Sequence, residues 1–109
     1  MSITEDYKQL AQSLIGNTPT TIYTVPPNTQ AIIKHIVITN PSGTDYWVKM
    51  WSTGSSDVNL ILGQTTLDSN GGRAEFDGSI TLDDGDTLVV EAEVAATLAV
   101  TVHGMQLES

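Results

Sequence analysis

The sequence predicts an all-β fold: an antiparallel β-sandwich or jelly roll of about seven or eight strands, with a short N-terminal helix or arm. Three observations predict it. From Thr20 onward, apolar and polar residues alternate with period two. Clusters of Gly, Pro, Asn, Asp and Ser break the runs at roughly ten-residue spacing. No internal repeat or linker divides them, and 109 residues suit one domain with its own core. Residues 1–16 read as the N-terminal helix or arm, and residues 17–109 as the sandwich.

The opening segment is the one helical candidate. Tyr7, Leu10, Ala11, Leu14 and Ile15 follow the i, i+3, i+4, i+7, i+8 stripe. Ser2 and Glu5 have capping-box spacing, and Gly16 stands where a C-terminal cap belongs. A helix over Ile3–Ile15 is predicted, with an apolar stripe that must find something to cover. Thr20–Val25 is a short first strand, ended by Pro26 and Pro27. Gln30–Thr39 is the strongest strand, and its apolar residues of both parities predict a central strand covered on both faces.

Asn40-Pro-Ser-Gly43 is a turn, and Thr44–Thr53 returns. Gly54–Asp57 breaks that strand, and Val58–Leu62 is short. After Ser69-Asn-Gly-Gly72, the runs Ala74–Asp77 and Ile80–Leu82 put Ala74, Phe76, Ile80 and Leu82 on one face. In Thr87–Val94, Leu88, Val90, Ala92 and Val94 point inward, with Glu91 and Glu93 outward. Thr97–Leu107 closes the chain, with a bulge expected at Gly104, where the inward parity switches from Leu98, Val100 and Val102 to Met105 and Leu107.

Composition excludes whole classes. With no cysteine there is no disulfide, thiolate metal site or cysteine nucleophile. Thirteen acids against Lys8, Lys34, Lys49 and Arg73 give a net charge of −9. Nucleic acid and anionic membranes are disfavoured as partners, because phosphate recognition needs a basic patch. Met1–Asp6 carries two acids where a secretory signal carries Lys or Arg, and no apolar run approaches the ~20 residues of a membrane helix. The expectation is a protein made in a cytoplasm and left soluble. Residues 1–56 are neutral, with three acids and three lysines, whereas residues 57–109 hold ten acids against Arg73. The acidic half reads as a solvated exterior.

No constellation demands chemistry. His35 and His103 could serve a two-His-one-carboxylate metal set, but no sequence spacing brings them together. Asp83, Asp84 and Asp86 around Gly85 resemble a calcium-loop fragment, yet Asp and Gly are also what a tight turn prefers. Glu75, Asp77, Glu91 and Glu93 take outward parities, where paired-carboxylate catalysis is disfavoured. No nucleophile elbow, P-loop or zinc-protease helix is present. The reading is no enzyme, no metal and no cofactor. Trp47, Lys49 and Trp51 share one strand face. The two tryptophans either lie beneath the helix or a long loop, or form a contact surface that stacks on sugar rings or anchors a protein.

Four segments carry a resemblance: Tyr7-Lys-Gln-Leu-Ala-Gln12; Thr21-Ile-Tyr-Thr-Val-Pro26; Ile33–Asn40 with Ser42-Gly43; and Leu82-Asp-Asp-Gly-Asp-Thr87. In this order they resemble small structural proteins of tailed bacteriophages, whose pattern runs YK-x-L-x-Q, LYTVP-x-x-T, an Ile/Val-rich strand, N-x-SG and L-x-x-GDT. The likeness covers most of the chain through turn and core residues, and it carries no catalytic residue. It implies a virion β-sandwich used in capsid decoration, the neck or fibre attachment.

The expectation is a capsid decoration (cement) protein that stabilises the head through contacts with the major capsid protein and with its own copies. The alternative is a neck, tail or fibre component with host-glycan binding. A cellular carbohydrate-binding or cupin-like module ranks third. Interface candidates are Tyr7, Leu10, Leu14 and Ile15 on the arm and Trp47, Lys49 and Trp51 on the strand. The arm and the neutral half are expected to face neighbours, leaving the acidic half toward solvent.

Overall fold

The computed structural model describes residues 4–53 and 60–108, and the side chains of these apart from residues 4–7, 60 and 108. Eight strands follow one another: β1 Thr4–Leu14, β2 Thr20–Thr24, β3 Thr29–Asn40, β4 Tyr46–Ser52, β5 Leu60–Leu67, β6 Gly72–Leu82, β7 Thr87–Ala92 and β8 Ala99–Glu108. They form two antiparallel four-stranded sheets, ordered β1-β8-β3-β6 and β2-β7-β4-β5. Only β4 and β5 are neighbours both in sequence and in a sheet, so every other connection crosses between sheets. That crossing is what distinguishes a jelly roll from a meander. The expected fold class holds.

The N-terminal helix is not formed. Thr4–Leu14 is instead the edge strand β1, paired with β8 from Thr4 opposite Glu108 to Leu14 opposite Ala99. A lone helix of this length is marginal in water without a face to cover. The β8 edge offers a ladder of backbone partners along nearly its whole length. The chain then enters the core at Ile15, whose N–H donates to the Leu98 carbonyl (2.8 Å) and whose carbonyl accepts from Ala96 N–H (2.9 Å).

The parity changes in β3 and β8 need a different account from the one the pattern suggests. In β3, Ala31 and Ile33 point inward, then Ile36 and Ile38, because Lys34 is an extra residue that shifts the register. Apolar residues of both parities therefore reflect a bulge. β8 itself stays regular: Val100, Val102, Gly104 and Gln106 are all buried in strict alternation. The bulge expected at Gly104 lies instead on its neighbours, at Leu10 in β1 and Lys34 in β3. A Cβ on Gly104 would collide with the Ile32 carbonyl oxygen and press on Leu10 Cδ1. The bare glycine lets both strands close in. Ala74–Asp77 and Ile80–Leu82 form one strand, β6, irregular beside Gly78 and Ser79, where Lys34 Nζ donates to Ser79 Oγ (2.8 Å). Of the turn Gly54–Asp57 and the run Val58–Leu62, residues 54–59 lie outside the described residues.

The core fills the space between the sheets. Ile33, Ile38, Val48, Met50, Leu88, Val90, Leu98, Val100 and Val102 are fully buried, each worth ~1.5–3 kcal/mol of hydrophobic stabilisation. Two buried polar residues tie the elements together. Gln106 Nε2 donates to Tyr23 Oη (2.7 Å), joining one sheet to the other. Asn40 donates through Nδ2 to the Thr44 and Leu67 carbonyls (2.8 and 3.0 Å) and accepts at Oδ1 from Ser42 N–H and Oγ–H (3.0 and 2.7 Å). Between β5 and β6, Asn70 and Gly71 both adopt positive φ (61° and 104°), which turns the chain across to the other sheet.

Candidate interaction surfaces

The four apolar candidates of the N-terminal segment are separated by the strand geometry. Ile15 belongs to the core. Leu10, at the β1 bulge, is half-buried and packs against the core beside Gly104. Leu14 stands at the end of β1 with 58% of its surface exposed. The Tyr7 side chain lies outside the described residues. A helical stripe would have kept these residues on one face, whereas a strand with a bulge sends them in different directions.

Trp47, Lys49 and Trp51 do share the outer face of β4, opposite Glu93, Glu91 and Val89 of β7. Their environments differ. Lys49 Nζ sits 5.5 Å from the Trp47 ring centroid, a cation–π distance. Trp47 is half-buried, and its backbone N–H donates to the Glu93 carboxylate (3.2 Å). Trp51 is only 3% exposed, and its buried Nε1 meets no acceptor among the described residues. Two parallel exposed rings, as a sugar platform requires, are not what β4 presents.

The remaining sequence candidates make local contacts. Strand register sets His35 directly opposite His103, a juxtaposition invisible in the linear spacing. His35 Nε2 lies 3.7 Å from Glu75, which Arg73 holds through Nε at 2.7 Å. Among the described residues, no group of three or more His, Asp and Glu side chains gathers as for a metal ion. The aspartates spend their oxygens locally. Asp84 accepts from Asn28 N–H (2.9 Å), Asp83 from Gln30 Nε2 (3.0 Å) and Asp86 from Asp83 N–H (2.9 Å). Gly85 turns the loop with φ +84° and donates to the Val25 carbonyl (3.1 Å).

One feature escaped the sequence reading. On the side of the sandwich where β5 meets β6, an apolar cleft of about 80 Å³ lies between the sheets. Ile36 and Ile38 form its floor with Met50, and half-buried Ile61, Leu62 and Phe76 line it nearer solvent. Alternation placed Ala74 and Phe76 inward, but nothing in it signals that two sheets part at this edge.

No protein-family model matches the sequence, and no curated protein matches it significantly. Solved structures do share the fold. One is the subunit of Bacillus endospore appendages, described as a novel family of disulfide-linked pili. Its likeness has 14% identity and a TM-score of 0.55, over 98% of this chain and 88% of that one. Another is the virus-like particle of the extra small virus of the giant freshwater prawn Macrobrachium rosenbergii. There the identity is 10% and the TM-score 0.58, over all of this chain and 81% of that one. At such identities the likeness is one of fold.

Proposed function

We propose that the chain is a virion structural protein of a tailed bacteriophage, a capsid decoration protein that stabilises the head through protein–protein contacts. Its partners in this reading are the major capsid protein and copies of itself, and it acts in the virion after synthesis in the host cytoplasm. The supporting observation is architectural: the eight-stranded jelly roll, without an elaborated loop site among the described residues, makes up nearly the whole chain. The fold serves widely in capsids. The two similar structures come from a virus-like particle and a pilus, both assemblies of repeated subunits. A disulfide-linked assembly is not open to this chain, which has no cysteine.

Charge favours decoration over a shell that packs nucleic acid. Thirteen acids and four cations repel a phosphate backbone, so the position they suit is outside, on protein. The alternative, a neck, tail or fibre component with glycan binding, loses its two-ring platform because Trp51 is buried. No catalytic role enters this reading. The test is quantitative mass spectrometry of gradient-purified particles from the encoding phage, with immunogold labelling. The reading expects the chain in amounts comparable to the major capsid protein, with label over the head. Label confined to the tail would support the alternative, and absence from particles would overturn both.

A further inference from the structure

We propose that His35 and His103 form a two-imidazole site for a divalent transition-metal ion of the zinc, nickel and copper class, on the outer face of the sheet β1-β8-β3-β6. They are the chain's two histidines, and the register sets them directly opposite one another on adjacent antiparallel strands. Side chains so opposed have Cβ atoms ~4.5–5.5 Å apart. Two nitrogens bonded at ~2.0–2.1 Å to one tetrahedral ion stand about 3.3 Å apart, which imidazoles on neighbouring Cβ positions reach by leaning together.

Two local features create the juxtaposition. Lys34 is the extra residue of the β3 bulge, and it turns His35 to the outer face between buried Ile33 and Ile36. Regular alternation after Ile33 would have pointed His35 into the core. On β8, His103 stands between buried Val102 and Gly104 and so takes the same outer face. Gly104 lets β3 and β8 close in beside the pair. The Lys34 ammonium is held on the β6 side by Ser79 Oγ (2.8 Å), away from β8.

A carboxylate backs one of the rings. Arg73 Nε donates to Glu75 Oε1 at 2.7 Å, and the other oxygen, Oε2, faces His35 Nε2 at 3.7 Å. Strands β6 and β8 flank β3 from opposite sides, so Glu75 addresses one ring nitrogen and leaves Nδ1 for an ion shared with His103. Glu75 therefore stands behind His35 and outside the donor set, in keeping with the lack of a three-donor cluster among the described residues. A carboxylate in that place fixes the ring and raises its basicity as a ligand.

Imidazole nitrogen suits zinc, nickel and copper, whereas calcium and magnesium take oxygen. The His35 side chain is 38% exposed, so water fills the remaining coordination positions. A net charge of −9 draws cations toward the surface, and an ion shared by β3 and β8 clips together the two central strands of the sheet. Because it binds the folded chain, it raises stability by mass action. The site stands independently of the virion reading.

Zinc titration of the tag-free full chain, followed by calorimetry and by the histidine ring resonances in NMR, tests the proposal. Wild type should bind one Zn2+ per chain with a Kd below ~1 mM, and both imidazoles should shift together. Ca2+ should leave them unmoved. His35→Gln and His103→Gln should each bind zinc at least tenfold more weakly with an unchanged circular dichroism spectrum, and Glu75→Gln should fall between them and wild type. If a variant alters the fold, the wild-type resonances decide. No saturable binding, undiminished affinity in either histidine variant, or zinc shifts confined to the Asp83–Asp86 loop would each overturn the site. Wild-type affinity in Glu75→Gln would overturn the part assigned to the carboxylate.

Discussion

Replacing Asn40 by Ala should be among the most damaging single substitutions outside the apolar core. The side chain is completely buried and makes four hydrogen bonds, fastening the end of β3 to the loop before β4 and to the end of β5. Their loss is unequal. The Thr44 carbonyl can take the single Ser42 hydroxyl proton, 2.9 Å away, once Asn40 Oδ1 no longer holds it, whereas the Leu67 carbonyl loses its side-chain partner in a buried setting. A buried polar group left unsatisfied costs ~1–3 kcal/mol, and the void left by the amide adds to it, for a total of about 3 kcal/mol. At ~4–8 °C per kcal/mol for a domain near this size, the melting temperature should fall by roughly 12–24 °C. Urea unfolding with a constant m-value is the assay. Asn40→Asp should cost more at neutral pH, since it sets a charge where Nδ2 now faces two carbonyls. The folded state then raises the carboxyl's pKa, so part of the loss returns as pH falls and the group protonates. A loss below about 1 kcal/mol for the alanine variant would refute this account of the loop.

Gly104→Ala should destabilise by several kcal/mol, because its Cβ meets the Ile32 carbonyl; a melting temperature near wild type would show that β3 can yield. Trp51→Phe should change stability by no more than about 1 kcal/mol, since it removes a buried donor that meets no acceptor among the described residues along with some packing, while Trp51→Ala should cost ~3–5 kcal/mol; equal urea-measured losses would mean that Nε1 is bonded. Deleting residues 1–14 should lower the melting temperature even without any particle present, because it strips the β8 edge of its ladder and uncovers the core beside Leu10. An unchanged melting curve would restore the separable arm.

Much of the sandwich was legible because its signals are local. Leu88, Val90 and Ala92 alternate with Glu91 and Glu93, and Asn70-Gly71 accepts the positive φ of a turn. The N-terminal segment misled because Tyr7, Leu10, Leu14 and Ile15 satisfy a helical spacing by coincidence. Its strand conformation depends on an edge of β8 some ninety residues away, which no local pattern records. Bulges are similarly hidden: Lys34 inverts the facing of β3, and the sequence shows only apolar residues of both parities. The surface was least legible of all. Trp47 and Trp51 look equivalent in sequence yet differ in burial, and the cleft arises from the separation of β5 and β6, which belong to different sheets.

The central claim, a jelly roll that decorates the head of a virion, is tested most directly by cryo-electron microscopy of particles with and without the chain. The account predicts difference density on the outer surface of the head, in lobes that fit a 51 × 25 × 21 Å sandwich. Difference density confined to the neck or tail, or none at all, would contradict it.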